Sequence, residues 1–170
     1  MHKFFDKAKE ELLAMIPPTI FFFVMLHIVA AVRLLMAKET NFRPVTTISI
    51  AVAALILGKA VLIADLLPAI NRYPDKPLIY NVLWKTAVYW LLASVIHYLE
   101  RLVHFSREAG SVALGNERLL AEVVWPHFWA VQIVGLVLIL NYCTARELVR
   151  VIGKDKAARL FFGPTPLPPP

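Results

Sequence analysis

Four runs of apolar residues, each long enough to cross a lipid bilayer as a helix, constrain this chain more than anything else in it. About 20 apolar residues span a hydrocarbon core. Backbone N–H and C=O groups find no water there, so each run must close its hydrogen bonds within its own helix. The runs fall at about 16–37 (IPPTIFFFVMLHIVAAVRLLMA), 46–70 (TTISIAVAALILGKAVLIADLLPAI), 78–99 and 123–145. Together they take up about half of the 170 residues, which is why hydrophobic residues reach 59%, above the roughly 45–50% of ordinary soluble domains. The reading is all-α: an integral membrane four-helix bundle over residues 1–162, with amphipathic cytoplasmic ends and a proline-rich extended tail at 163–170. Short loops leave no room for a separate soluble domain.

The flanks carry their own signals. Phe4, Phe5, Ala8, Leu12 and Leu13 share a helical face within residues 1–13, the pattern of an interfacial helix leading into the membrane. Pro17 and Pro18 then mark a kink or the first turn of the span. No small-residue cleavage site follows the first apolar run, so it reads as a retained span. In the second run Ala54 and Gly58, and Ala60 and Ala64, lie four apart, a small-residue spacing that lets helices approach closely. Pro68, Pro74 and Pro77 stiffen the second connection. The third helix is expected to continue to Phe105. Gly110, Gly115 and an amphipathic piece from Glu117 to Val124 occupy the loop 106–122. Trp125, Trp129 and Tyr142 sit where headgroups should anchor the fourth span. Beyond it, Arg146 to Phe162 reads as an amphipathic basic helix interrupted at Gly153, and GPTPLPPP as polyproline II.

Four spans put both chain ends on one side. Lys3, Lys7, Lys9, Arg72, Lys76, Arg146, Arg150, Lys154, Lys156 and Arg159 fall there, against Arg33, Lys38, Arg43, Arg101, Arg107 and Arg118 opposite. The excess of positive charge places both termini in the cytoplasm. The net charge of +6 is therefore read as a topology signal, with no nucleic-acid partner. Arg146, Arg150, Lys154, Lys156 and Arg159 are the expected contacts with an anionic membrane surface.

Charges at membrane depth are expensive and therefore informative. Lys59 falls near the middle of the second span, Asp65 toward its cytoplasmic end, and Lys85 about two turns into the third. Depth alone suggests an Asp65–Lys85 ion pair stapling two helices, with Lys59 needing a carboxylate, carbonyls or water, for which Gln132 or a partner subunit are candidates. As a network, Lys59, Asp65 and Lys85 support either structural glue or an ion or proton relay.

The outer end of the third helix carries a second cluster. His97, Glu100, Arg101, His104 and Glu108 share one face, and His127 opens the fourth span. Two histidines and an acid on one face could bind a transition metal, or form a polar stripe at the interface. Haem needs facing histidines at equal depth on different helices, and His27 lies at mid-span whereas the others lie near one surface. No cofactor is expected. The one cysteine, Cys143, excludes an intrachain disulfide and CxxC motifs. Nucleophile elbows, HExxH and phosphate-cradling loops are absent, so the chain does not read as an enzyme.

The stretch Gly58–Leu102, GKAVLIADLLPAINRYPDKPLIYNVLWKTAVYWLLASVIHYLERL, resembles small bacterial inner-membrane proteins with four predicted spans and no assigned activity. The resemblance implies a bacterial inner-membrane setting and lends no catalytic residue. The function expected is a non-enzymatic subunit or accessory protein of a larger inner-membrane complex, whose partners are the bilayer and other membrane subunits or itself. The alternatives are a small channel or transporter subunit using Lys59 and Asp65, and a metal- or haem-binding redox protein.

Overall fold

The apolar runs fold as helices, and two of the described breaks come where the backbone loses a donor, at Pro68, or takes a positive φ, at Gly110. The computed structural model describes residues 2–36, 46–73 and 75–163, with side chains for 13–35, 46–68, 70–73 and 75–163. Among these residues are six α-helices: α1 (His2–Met36), α2 (Thr47–Asp65), α3 (Leu78–Ala109), α4 (Val112–Ala121), α5 (Trp125–Ile152) and α6 (Lys154–Phe162). Four of them contain segments long and apolar enough to cross a membrane, namely Leu13–Leu35, Thr47–Asp65, Leu78–Ala109 and Trp125–Ile152. The protein is an all-α, multi-pass membrane protein, its spans packed as a bundle. α1 lies on α2, α2 on α3 and α3 on α5, with a thinner seam between α5 and α1.

The ends of the helices differ from the hydropathy boundaries for local reasons. α2 starts under a cap, the Thr46 hydroxyl accepting from the Ser49 N–H at 3.3 Å. It stops at Asp65, short of residue 70, because Pro68 has no N–H to continue the ladder. The Leu66 and Leu67 N–H groups tighten onto the carbonyls of Ile63 and Ala64, and Pro68–Asn71 forms a 3-10 turn. α3 runs on to Ala109 and ends at Gly110, whose φ of 72° is left-handed, a C-terminal cap that glycine takes without strain. α5 continues seven residues beyond 145, to Ile152, and breaks from α6 at Gly153, as its sequence suggested.

The short helix of the third loop begins earlier than its amphipathic pattern implied, at Val112 rather than Glu117. Gly115 accordingly lies inside α4, where the Ser106 backbone of α3 leaves no space for a Cβ. Gly58 does the same for α1 and α2, a Cβ there overlapping the Thr19 hydroxyl. Ala54, Gly58, Ala60 and Ala64 are all buried, so the small-residue spacing does mark a packed face. α1 passes unbroken through Pro17 and Pro18.

The core joins Phe22 of α1, Ala54, Val61 and Ala64 of α2, Val82, Tyr89 and Ala93 of α3, and Leu138, Ile139 and Cys143 of α5. Phe21 and Phe22 pack on Tyr142 at ring separations of 5.4 and 5.3 Å, holding the α1–α5 seam. The rest of the face expected of residues 1–13, the close of the first span at Lys38 and the tail at 164–170 lie outside the residues with described side chains.

Candidate functional site

The polar cluster of this bundle is built where α2 ends, α3 begins and α5 leaves its apolar stretch. On α3 the inward stripe reads Val82, Lys85, Thr86, Tyr89 and Ala93, all buried. On α5 the inward stripe reads Ile139, Cys143 and Glu147, also buried and four apart. Helical periodicity thus aims one lysine and one glutamate at each other across the bundle. The Lys85 Nζ donates to Glu147 Oε1 at 2.6 Å. The other carboxylate oxygen, Glu147 Oε2, accepts from Arg150 Nη2 at 2.6 Å and from Arg150 Nε at 2.9 Å. A bidentate guanidinium on one oxygen and an ammonium on the other satisfy this anion almost fully.

One turn away is a second, closed arrangement. Arg146 Nη1 lies 2.7 Å from Asp65 Oδ2 and donates to the Tyr89 hydroxyl oxygen at 3.0 Å. The Tyr89 O–H in turn donates to Asp65 Oδ1 at 2.5 Å. Three residues from α2, α3 and α5 therefore form a ring of hydrogen bonds, with Tyr89 itself buried. The Arg146 guanidinium also lies 6.0 Å from the Tyr142 ring centre, within cation–π range. Beside the pair opens a cavity of about 170 Å³ between α1, α2 and α5, lined by Pro17, Pro18, Val61, Leu62, Asp65 and Arg146 among others.

The direct Asp65–Lys85 pair suggested by depth is not what forms: Lys85 takes Glu147 and Asp65 takes Arg146. The physical reason is that the fourth span and the segment after 145 form one continuous helix, so the inward stripe Ile139–Cys143 runs on to Glu147, with Arg146 beside it, instead of ending at the hydropathy boundary. Arg146 and Arg150, both expected at the membrane surface, are partly exposed and ion-paired to Asp65 and Glu147. Lys154, Lys156 and Arg159 are exposed along α6, beside Leu160, Phe161 and Phe162. Glu147 and Tyr89 were missed from sequence. The signal for Glu147 was its place four residues beyond Cys143 and eight beyond Ile139 on one stripe.

Lys59 stands apart from this cluster. It is exposed on the outside of α2, and its expected neighbour Gln132 instead accepts a hydrogen bond from Ser94 Oγ at 3.2 Å. The histidine face does not close into a metal site. No group of three or more His, Cys, Asp or Glu is gathered for a metal among the described residues. His97, Glu100, His104 and His127 are all exposed, and His104 lies 3.3 Å from Glu108, its neighbour one turn on. His27 is bound locally, its Nδ1 2.9 Å from the Phe23 carbonyl oxygen.

The arrangement can clasp three helices together at one end of the bundle. Its two acids already have cationic partners, so its evident chemistry is cohesion. Comparison with protein-family models, curated proteins and solved structures gives no match, and the site is read from its own residues.

Proposed function

We propose that the protein is a non-enzymatic subunit or accessory protein of a larger assembly in a bacterial inner membrane, with both termini in the cytoplasm. The observation that carries this reading is the engagement of the inward-facing charges. Asp65 is held by Arg146 and Tyr89, and Glu147 by Lys85 and Arg150. A relay for protons or ions needs an acid that can exchange its partner along a path. Here each acid is already bound, Asp65 by α3 and α5 and Glu147 by Lys85 of α3 and by Arg150 of its own helix, which favours a scaffold role over the channel or transporter alternative. The amphipathic α6, with exposed basic residues next to exposed Phe161 and Phe162, supports attachment at the cytoplasmic leaflet or on a neighbouring subunit. The orientation rests on the excess of lysine and arginine on the side that carries both ends.

Native purification in mild detergent, with mass measurement of the intact particle, tests the reading. The expected result is a particle clearly heavier than the 19.2 kDa chain with its detergent, and no ion flux when the chain alone is placed in liposomes. Ion flux through liposomes that Asp65→Asn abolishes would replace the subunit reading with the transport one.

A further inference from the structure

Helix α2 has two different faces. Ile50, Ala54, Gly58, Val61 and Ala64 are buried against the bundle, whereas Ile48, Val52, Leu55 and Lys59, and Leu66 at the C-terminal cap, are exposed. These outer positions follow one another at spacings of four, three, four and seven residues. Such alternation is the seam along which one helix packs on another in a left-handed pair. Lys59 takes one of the seam positions, and its ammonium has no ion-pair or hydrogen-bond partner among the described residues.

Its depth makes that costly. Lys59 lies twelve residues past Thr47 and six before Asp65, or about 18 Å and about 9 Å from the two ends of α2. A membrane lysine normally carries its ammonium to the nearest boundary. On this helix the nearer end is the C-terminal one, while Cα–Cβ bonds tilt toward the N-terminus. The side chain therefore starts out directed at the farther surface, with aliphatic side chains above and below it.

We infer that the outer face of α2 is a docking seam for a transmembrane helix of another protein, one bearing an aspartate or glutamate at the depth of Lys59. Charge complementarity selects this occupant. A two-fold contact between copies inserted the same way sets Lys59 against Lys59. The acids that this chain places inside the bundle, Asp65 and Glu147, are already held. An aliphatic seam with one exposed cation at membrane depth supplies both packing and register, since a single polar seam position selects the partner that answers it. The inference rests on the subunit reading and adds the surface and the partner's chemistry.

The test places the labelled full-length chain in phosphatidylcholine vesicles with a single-span, leucine-rich peptide carrying one mid-membrane aspartate. Peptides with leucine or lysine at that position serve as comparisons, and association is read by energy transfer. The aspartate peptide is expected to associate at least about tenfold more tightly than the leucine peptide. Lys59→Met should erase the preference, and Lys59→Glu should transfer it to the lysine peptide, a gain that misfolding cannot mimic. Equal association of the aspartate and leucine peptides overturns the seam, as does a preference that survives Lys59→Met. Transfer between copies stronger than transfer to the aspartate peptide makes the face a self-interface and overturns it too. A native assembly unchanged by Lys59→Met also removes the seam but leaves the subunit reading standing. A chain that remains monomeric in its native membrane, yet shows the charge-swapped preference in vesicles, removes the subunit reading and leaves the seam.

Discussion

The Lys85 ammonium sits 2.6 Å from the Glu147 carboxylate, and the two side chains are only 8% and 2% exposed. The pair joins residues 62 apart in the chain and ties the start of α3 to the end of α5. Removing both charges from water is expensive, and the mutual attraction offsets that cost only with good geometry and further hydrogen bonds. Arg150 supplies those further bonds to Glu147, so the carboxylate is shared between two cations.

That sharing makes the pair asymmetric under mutation. Glu147→Gln leaves Lys85 as a buried cation without its anion and should destabilise the bundle by about 3–5 kcal/mol. Lys85→Met leaves Glu147 still bound by Arg150 and should cost clearly less. Unfolding of each variant in detergent gives the comparison. Equal losses would mean that Arg150 contributes nothing to holding the carboxylate.

Partner choice can be tested by double-mutant cycles. Asp65→Asn with Arg146→Leu should show a coupling of about 0.5–1 kcal/mol, discounted because both side chains are partly exposed at 28% and 42%. Lys85→Met with Glu147→Gln should couple more strongly, being buried. Asp65→Asn with Lys85→Met should be close to additive, and a larger coupling there than in the other two cycles would restore the direct pairing that depth alone suggested.

Tyr89→Phe removes one hydroxyl from the ring that links α2, α3 and α5 while keeping the ring's aromatic packing. The lost bonds involve a carboxylate and a guanidinium, so the expected loss is about 1.5–3 kcal/mol. Melting in detergent of Tyr89→Phe, Asp65→Asn and the double variant reads it. If Tyr89→Phe melts like the unmodified chain, the hydroxyl is not part of the clasp.

Two glycines on spanning helices should respond in opposite ways. Gly58→Val drives side-chain atoms into Thr19 of α1 and should cost about 1–3 kcal/mol through overpacking. Gly135→Ala on α5 meets nothing within 4 Å and should be neutral or slightly stabilising. Thermal stability of the two variants, measured side by side, distinguishes close helix approach at Gly58 from general intolerance of larger residues.

Reporter fusions address orientation. Fusions after Lys76 and Gly163 should report the cytoplasm, and a fusion at Gly110 the opposite side. A periplasmic signal from the Gly163 fusion reverses the assignment.

Hydropathy is a local property, and the bilayer allows the backbone little besides helices. The sequence alone therefore settled the all-α class, the number of spans and the break at Gly153. Helix ends were legible only where a residue forces them. Pro68 could have shown that α2 stops early, since its ring denies the ladder a donor, and Gly110 could have shown where α3 ends. Ion-pair identity was not legible, because it depends on how each helix is turned about its axis, and one residue of error is a rotation of about 100°. The pairs also depended on residues beyond the apolar run: Arg146, expected at the membrane surface, and Glu147, not singled out at all, lie where α5 meets α2 and α3. Lys59 shows the same division. Its depth in the membrane follows from counting residues, but that it faces outward, away from Gln132 and every acid of the cluster, was decided by the packing of Gly58 on Thr19, which turns the opposite side of α2 into the bundle.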